Sequence, residues 1–163
     1  MNTEPRIVTT VCTGNLCRSP MAEVLLRKHL DRLGVTDVVV QSAGIRAKEG
    51  QKAIGASHRA VEALGADLSS HVTSLLDRVT LDESHLVLCA TQRHVDKIRE
   101  RWPDFDFSKV RLFNESILEE GDEDMDVEDP SGFDDALFLL IGRVIDGAME
   151  AWAESLVRSP WKD

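Results

Sequence analysis

Residues 6–11 (RIVTTV) form a short β-branched run that leads through a glycine-containing turn into a stretch where Ala22, Leu25, Leu26, Leu30 and Leu33 recur at helical spacing. A strand that turns directly into an amphipathic helix is the first half of a βα unit, and this constrains the fold more than any other feature of the chain. Pro5 precedes the strand, and Gly14 and Asn15 follow it. Ser19-Pro20 reads as a hydroxyl cap followed by proline at the first helical position, and Gly34 closes the helix. The alternation then repeats. Residues 37–41 (DVVVQ) predict a second strand ending in Ser42-Ala43-Gly44, and residues 58–64 predict a helix closed by Gly65. Residues 85–90 (HLVLCA) predict a third strand, followed by a helix that Trp102-Pro103 breaks, and residues 109–113 (KVRLF) predict a fourth. Phe133, Leu137, Leu140, Ile141, Val144, Ile145, Ala148 and Trp152 mark a long closing helix. The expectation is one α/β domain over residues 1–163: a four-stranded parallel sheet, helices on both faces, and a glycine-containing loop after the first strand.

A chain of 163 residues buries enough surface to fold without disulfides or a structural metal. Its three cysteines, with no secretory pattern at the N-terminus, predict free thiols and a cytoplasmic location. No apolar run approaches the ~18 residues of a spanning helix. The formal net charge of −10 argues against a nucleic-acid or anionic-membrane partner. The acid is concentrated: residues 112–142 hold 11 Asp or Glu and no Lys or Arg. The overall balance therefore still permits a small local anion site elsewhere.

In parallel sheets ligands sit beyond the carboxyl ends of the strands. Here the first strand delivers Cys12-Thr13-Gly14-Asn15-Leu16-Cys17-Arg18-Ser19 to a helix start. Successive backbone amides of such a turn make an anion cradle without net charge, and Gly14 permits its curvature. The lysine of a nucleotide-binding loop is missing, so the cradle does not read as an ATP or GTP site. It offers a thiol and a guanidinium instead. The amides and Arg18 favour a nucleophilic thiolate at Cys12, and Arg18 can hold two oxygens of a tetrahedral oxyanion as a planar fork. Phosphoryl transfer to sulfur is the chemistry this pattern serves. Cys12, Cys17, Cys89 and His94 also have the spacing of a zinc set, but Arg18 opposes a cation, and Cys89 reads more simply as a buried strand residue. His29, His58, His85 and His94 read as surface or packing residues.

The segment from Val11 to Glu23 (VCTGNLCRSPMAE) resembles the signature of the low-molecular-weight protein tyrosine phosphatases. Ser42-Ala43-Gly44, Leu68-Ser69-Ser70-His71 and Asp129-Pro130 match further landmarks of that family in the right order. The resemblance implies that Cys12 is the nucleophile, Arg18 the phosphate clamp and Asp129 the general acid and base. Residues Thr13 to Arg18 would bind the phosphate, with Asn15, Ser19, Ser42 and His71 supporting the loop. Cys17 would form a reversible disulfide with Cys12. No cofactor or metal is implied. The partners would be phosphorylated proteins, and the chain a monomer or weak dimer. Pro130 keeps Asp129 out of a helix, and Asp126 and Glu128 are expected to raise its pKa by like-charge repulsion. The substrate is less determined. The chain has no tyrosine, whereas many tyrosine-specific members wall their pocket with tyrosines after Asp-Pro. Arg46-Ala47-Lys48-Glu49-Gly50 and Ser131-Gly132 look more like the protein-arginine phosphatase branch. That branch has threonine where this chain has Leu16, an apolar side chain suited to an aromatic ring and not to a guanidinium, so phosphotyrosine is favoured. An arsenate reductase would need a further relay cysteine, and only Cys89 is left for that.

Overall fold

A computed structural model describes residues 4–119, 121 and 124–158. Four strands, β1 (Arg6–Cys12), β2 (Val38–Gly44), β3 (Leu86–Cys89) and β4 (Val110–Leu112), form one sheet in the order β2-β1-β3-β4. All three pairings are parallel. Among the described residues five α-helices connect and flank them: α1 (Arg18–Arg32), α2 (Gly55–Ala63), α3 (Arg78–Glu83), α4 (Gln92–Arg101) and α5 (Asp135–Arg158). The predicted α/β architecture is thus present, with β2 longer than expected because Ser42, Ala43 and Gly44 remain paired with β1. The short helix α3 and two 3-10 turns, Phe107–Lys109 and Phe113–Ser116, have no counterpart in the periodicity. They are too short to show one.

Alternation along the strands divides the core in two. Val8 and Cys12 of β1, Val40 of β2 and Leu86 and Leu88 of β3 pack with Met21, Leu25, Leu26 and Leu30 of α1, Val61 of α2 and Ile145 and Met149 of α5. Val11, Ala43, Val87 and Cys89 point the other way, against Leu81 of α3 and Val95 and Ile98 of α4. A sheet buried on both faces explains why its strands read as nearly continuous apolar runs. The acidic segment is tied into this frame where Val127 N–H donates to the carbonyl of Ala90, 2.9 Å away, just beyond β3. Glu120, Asp122 and Glu123 of that segment lie outside the described residues.

Candidate active site

The loop between β1 and α1 closes around its own polar side chains. Asn15 takes a left-handed backbone (φ 58°), the one non-glycine residue to do so among the described residues, as the tight curvature requires. Its Nδ2 donates to Ser19 Oγ and to Ser42 Oγ, each at 2.9 Å, and its Oδ1 accepts from Ser74 N–H at 2.9 Å. His71 Nε2 donates to the Asn15 carbonyl at 2.9 Å. The residues expected to support the loop, Asn15, Ser19, Ser42 and His71, are therefore joined in one network, to which sequence reasoning did not add Ser74. Ser19 Oγ, which accepts from Asn15, also lies 2.9 Å from Cys12 Sγ, where its hydroxyl can donate to a thiolate and stabilise negative charge on sulfur.

This use of Ser19 corrects its reading as a helix cap. The helix begins two residues earlier than expected, at Arg18, with Cys17 in the capping position and no side-chain cap. The first-turn amides are left to a bound anion, as an uncapped N-terminus allows. Pro20 is accommodated because it too lies in the first turn, where its missing N–H breaks no helical bond. Gly44 is packed against the loop: a Cβ there would stand 2.6 Å from the Thr13 carbonyl oxygen and 2.7 Å from Asn15 N.

Arg18 is buried, and its two terminal nitrogens face the acidic segment. Nη1 donates to the Val127 carbonyl at 3.1 Å, and Nη2 lies 3.7 Å from Asp129 Oδ2. Asp129, distant in sequence, is thereby brought to the loop that carries Cys12 and Arg18 at the carboxyl end of the sheet. Asp129 does not have the raised pKa expected of it. Partial burial raises it, but Ser131, whose N–H donates to Oδ1 at 3.0 Å, together with Arg18 and His94, outweighs that and holds it below the ordinary value. Asp126 and Glu128 are not among the groups that shift it, and Asp126 Oδ1 is engaged elsewhere, accepting from Gln92 N–H at 2.8 Å.

A cavity of about 380 Å³ opens over the loop, lined by Thr13, Arg18, Thr91, His94 and Asp129, with further charged residues at its rim. Leu16 is half-buried and packs against the core beneath α1 and α2, and its carbonyl accepts from Ile54 N–H at 3.0 Å. His94 is the residue whose reading as surface or packing must be corrected. Its Nε2 lies 2.9 Å from Thr13 Oγ1, and its Nδ1 accepts from Thr91 N–H at 3.2 Å. Burial, with Arg18 and Arg93 nearby, pushes its pKa down to about 4 despite Asp129, so the ring is neutral. The pattern Thr91-x2-His94 at a helix start was its one visible signal, the capping box it forms on α4.

Cys17 is buried, its Sγ 3.3 Å from Ser131 Oγ, and burial pushes its pKa up despite that contact. Cys89 is fully buried on the opposite face of the sheet from Cys12, and its thiol too is pushed up by burial. Alternation thus separates Cys89 from Cys12 and Cys17, the other two thiols of the metal-like spacing. Among the described residues no three His, Cys, Asp or Glu side chains are grouped to hold a metal ion, and no helix is long and apolar enough to cross a membrane.

Comparison with known proteins agrees with this geometry. The chain is 29% identical over 149 residues to a low molecular weight protein-tyrosine-phosphatase of Acinetobacter johnsonii, covering 91% of this chain and 96% of that one. It is 35% identical over 128 residues to a protein-arginine-phosphatase of Geobacillus stearothermophilus, covering 78% and 80%. In three dimensions it resembles the YwlE arginine phosphatase, solved as a cysteine-to-serine mutant with a phosphorylated active-site serine, at a TM-score of 0.85 with 29% identity over 94% of this chain and 97% of that one. Residues 7–160 match the family described as low molecular weight phosphotyrosine protein phosphatase, and the chain belongs to that family.

Proposed function

We propose that this protein hydrolyses phosphotyrosine in phosphorylated proteins through a phosphocysteine intermediate. The observation that carries the reading is the meeting of Arg18 and Asp129, 3.7 Å apart, over the loop that presents Cys12. Cys12 sulfur attacks phosphorus in line with the ester oxygen, Arg18 and the loop amides of Thr13 to Arg18 hold the non-bridging oxygens, and Asp129 gives its proton to the departing phenolic oxygen. Asp129 then takes a proton from the water that cleaves the sulfur-phosphorus bond, releasing inorganic phosphate and the Cys12 thiolate. Asp129 is held ionised in the free protein. A bound phosphate dianion draws Arg18 toward itself and places like charge beside the carboxylate, and both changes favour its protonation. Cys17 has the role of a resolving thiol: its sulfur attacks a Cys12 sulfenic acid, forming the disulfide and releasing water. The chemistry needs no cofactor, and the cytoplasm, where thiols stay reduced, suits it.

The phosphorylated serine in the YwlE relative supports the covalent step, since serine there stands in for cysteine. That same likeness, with the 35% identity to an arginine phosphatase, favours phosphoarginine as the second reading. Leu16 argues against it, because no hydroxyl is present there to pair with a guanidinium. The test is parallel measurement of kcat/KM on phosphotyrosine and phosphoarginine peptides with wild type, Cys12→Ser and Leu16→Thr. Wild type is expected to prefer phosphotyrosine, Cys12→Ser to lose turnover with both, and Leu16→Thr to shift the ratio toward phosphoarginine by about tenfold. Residual turnover by Cys12→Ser would exclude the phosphocysteine route, and a wild-type preference for phosphoarginine would install the second reading.

A further inference from the structure

The cavity over the catalytic loop is larger and more basic than one phosphate group requires. Beyond Arg18 it is lined by Arg46, Arg93 and Lys97, set against Asp126 and Asp129, in a chain whose formal charge is −10. Both carboxylates are already engaged, Asp126 by Gln92 N–H and Asp129 by Ser131 N–H and Arg18. The outer cations are not. Neither Arg46 nor Arg93 makes a side-chain hydrogen bond or salt bridge among the described residues. Lys97 has only Glu100, 3.3 Å away on the exposed side of the same helix, a pairing that costs little to exchange. The remaining carboxylate on this part of α4, Asp96, accepts from Gln92 Nε2 at 3.0 Å.

These cations stand in fixed relation to the reacting sulfur. Arg46 N–H donates to the Thr13 carbonyl at 2.8 Å, which locks the start of its side chain beside the residue next to Cys12. Arg93 and Lys97 lie one turn apart on α4, so both face the same side. That helix is attached to the loop through His94 and Thr13. We propose that Arg46, Arg93 and Lys97 form a second anion subsite, which takes an acidic side chain adjoining the phosphorylated residue of a substrate protein. The inference rests on the phosphotyrosine reading, and deepens it by naming the kind of sequence the enzyme selects. Unpaired cations in a partly enclosed cavity steer and hold an anion more strongly than the same charges on an open surface. The same cations disfavour a substrate that brings a guanidinium of its own.

The test compares kcat/KM on three short phosphotyrosine peptides, with flanking glutamates, with the same positions changed to glutamine, and with a flanking phosphoserine. Wild type is expected to prefer the glutamate peptide over the glutamine peptide by about five- to tenfold at low ionic strength. That preference should shrink toward unity in ~0.5 M salt. The charge reversal Arg93→Glu should bring the ratio to one or below, and Arg46→Gln and Lys97→Gln should each reduce it. A wild type that turns over the glutamate and glutamine peptides equally overturns the subsite while leaving the phosphatase reading intact. A preference for the phosphoserine peptide alone replaces the carboxylate with a second phosphate and overturns the proposal as stated. Turnover of none of the three overturns both readings together.

Discussion

His94 Nε2 stands 2.9 Å from Thr13 Oγ1 in the wall of the cavity, and the other bonds of His94 decide which of the two donates. Nδ1 accepts from Thr91 N–H, so the proton of the neutral ring is on Nε2 and points at Thr13. The hydroxyl hydrogen of Thr13 is thereby free to face the substrate, beside the nucleophile. Replacing Thr13 by the isosteric valine is expected to lower kcat/KM by roughly tenfold, the value of one hydrogen bond to a charged oxygen. Thr13→Ser should stay within about twofold of wild type. A valine variant as active as wild type would show that this hydroxyl does not meet the substrate.

His94 also predicts how the fold responds to acid. Its pKa is about 4 in the folded chain against an ordinary 6.5. As pH falls from 6.5 toward 4 the unfolded chain takes up a proton that the folded one refuses, so stability declines across that window and is regained as pH rises. Urea midpoints measured between pH 6.5 and 4.5 should fall less in His94→Gln than in wild type. Asp37 and Asp77, whose pKa values are lowered by Arg6 and by Thr80 respectively, act below this window. Parallel slopes for the two proteins would remove His94 as its origin.

Asp129→Ala is expected to slow phenyl phosphate by about a hundredfold or more, and p-nitrophenyl phosphate by much less, because a good leaving group departs without a proton. A plot of log kcat/KM against leaving-group pKa supplies the measurement. Equal losses on both esters would take Asp129 out of the acid role, and Asp126, bound to Gln92 N–H, would be a poor replacement.

Peroxide should inactivate the enzyme, and a thiol reductant should restore it. In Cys17→Ser the loss should become largely irreversible as the Cys12 sulfenic acid is oxidised further. Intact-mass measurement distinguishes a disulfide, which lowers the mass by two hydrogens, from added oxygens. Full recovery in the variant would assign the protection to another group; Cys89, buried on the far face of the sheet, has no direct route to Cys12.

The parts of this molecule that could be read in its sequence are those encoded locally. Cys12-x5-Arg18 lies within one turn, and the four strands carry their own short apolar runs, β-branched in β1 and β2. What escaped was set by contacts between distant segments. Asp129 seemed surrounded by like charge because its neighbours in sequence are acidic, whereas in the fold its neighbours are Ser131, Arg18 and His94. Ser19 looked like a cap until Asn15 and Cys12 claimed its hydroxyl. His94 lies 81 residues from Thr13, and no periodicity reports such a pairing.

The close approach of Gly44 to the loop reaches beyond stability. With 2.6 Å between a notional Cβ and the Thr13 carbonyl oxygen, any side chain at the end of β2 must displace the turn that cradles phosphate. The end of β2 and the loop after β1 are therefore coupled sterically: the present course of the catalytic loop can be kept only while position 44 stays bare. A library randomised across residues 13–17 would inherit that restriction, and the route to new anion specificities in this scaffold runs first through the backbone of a neighbouring strand.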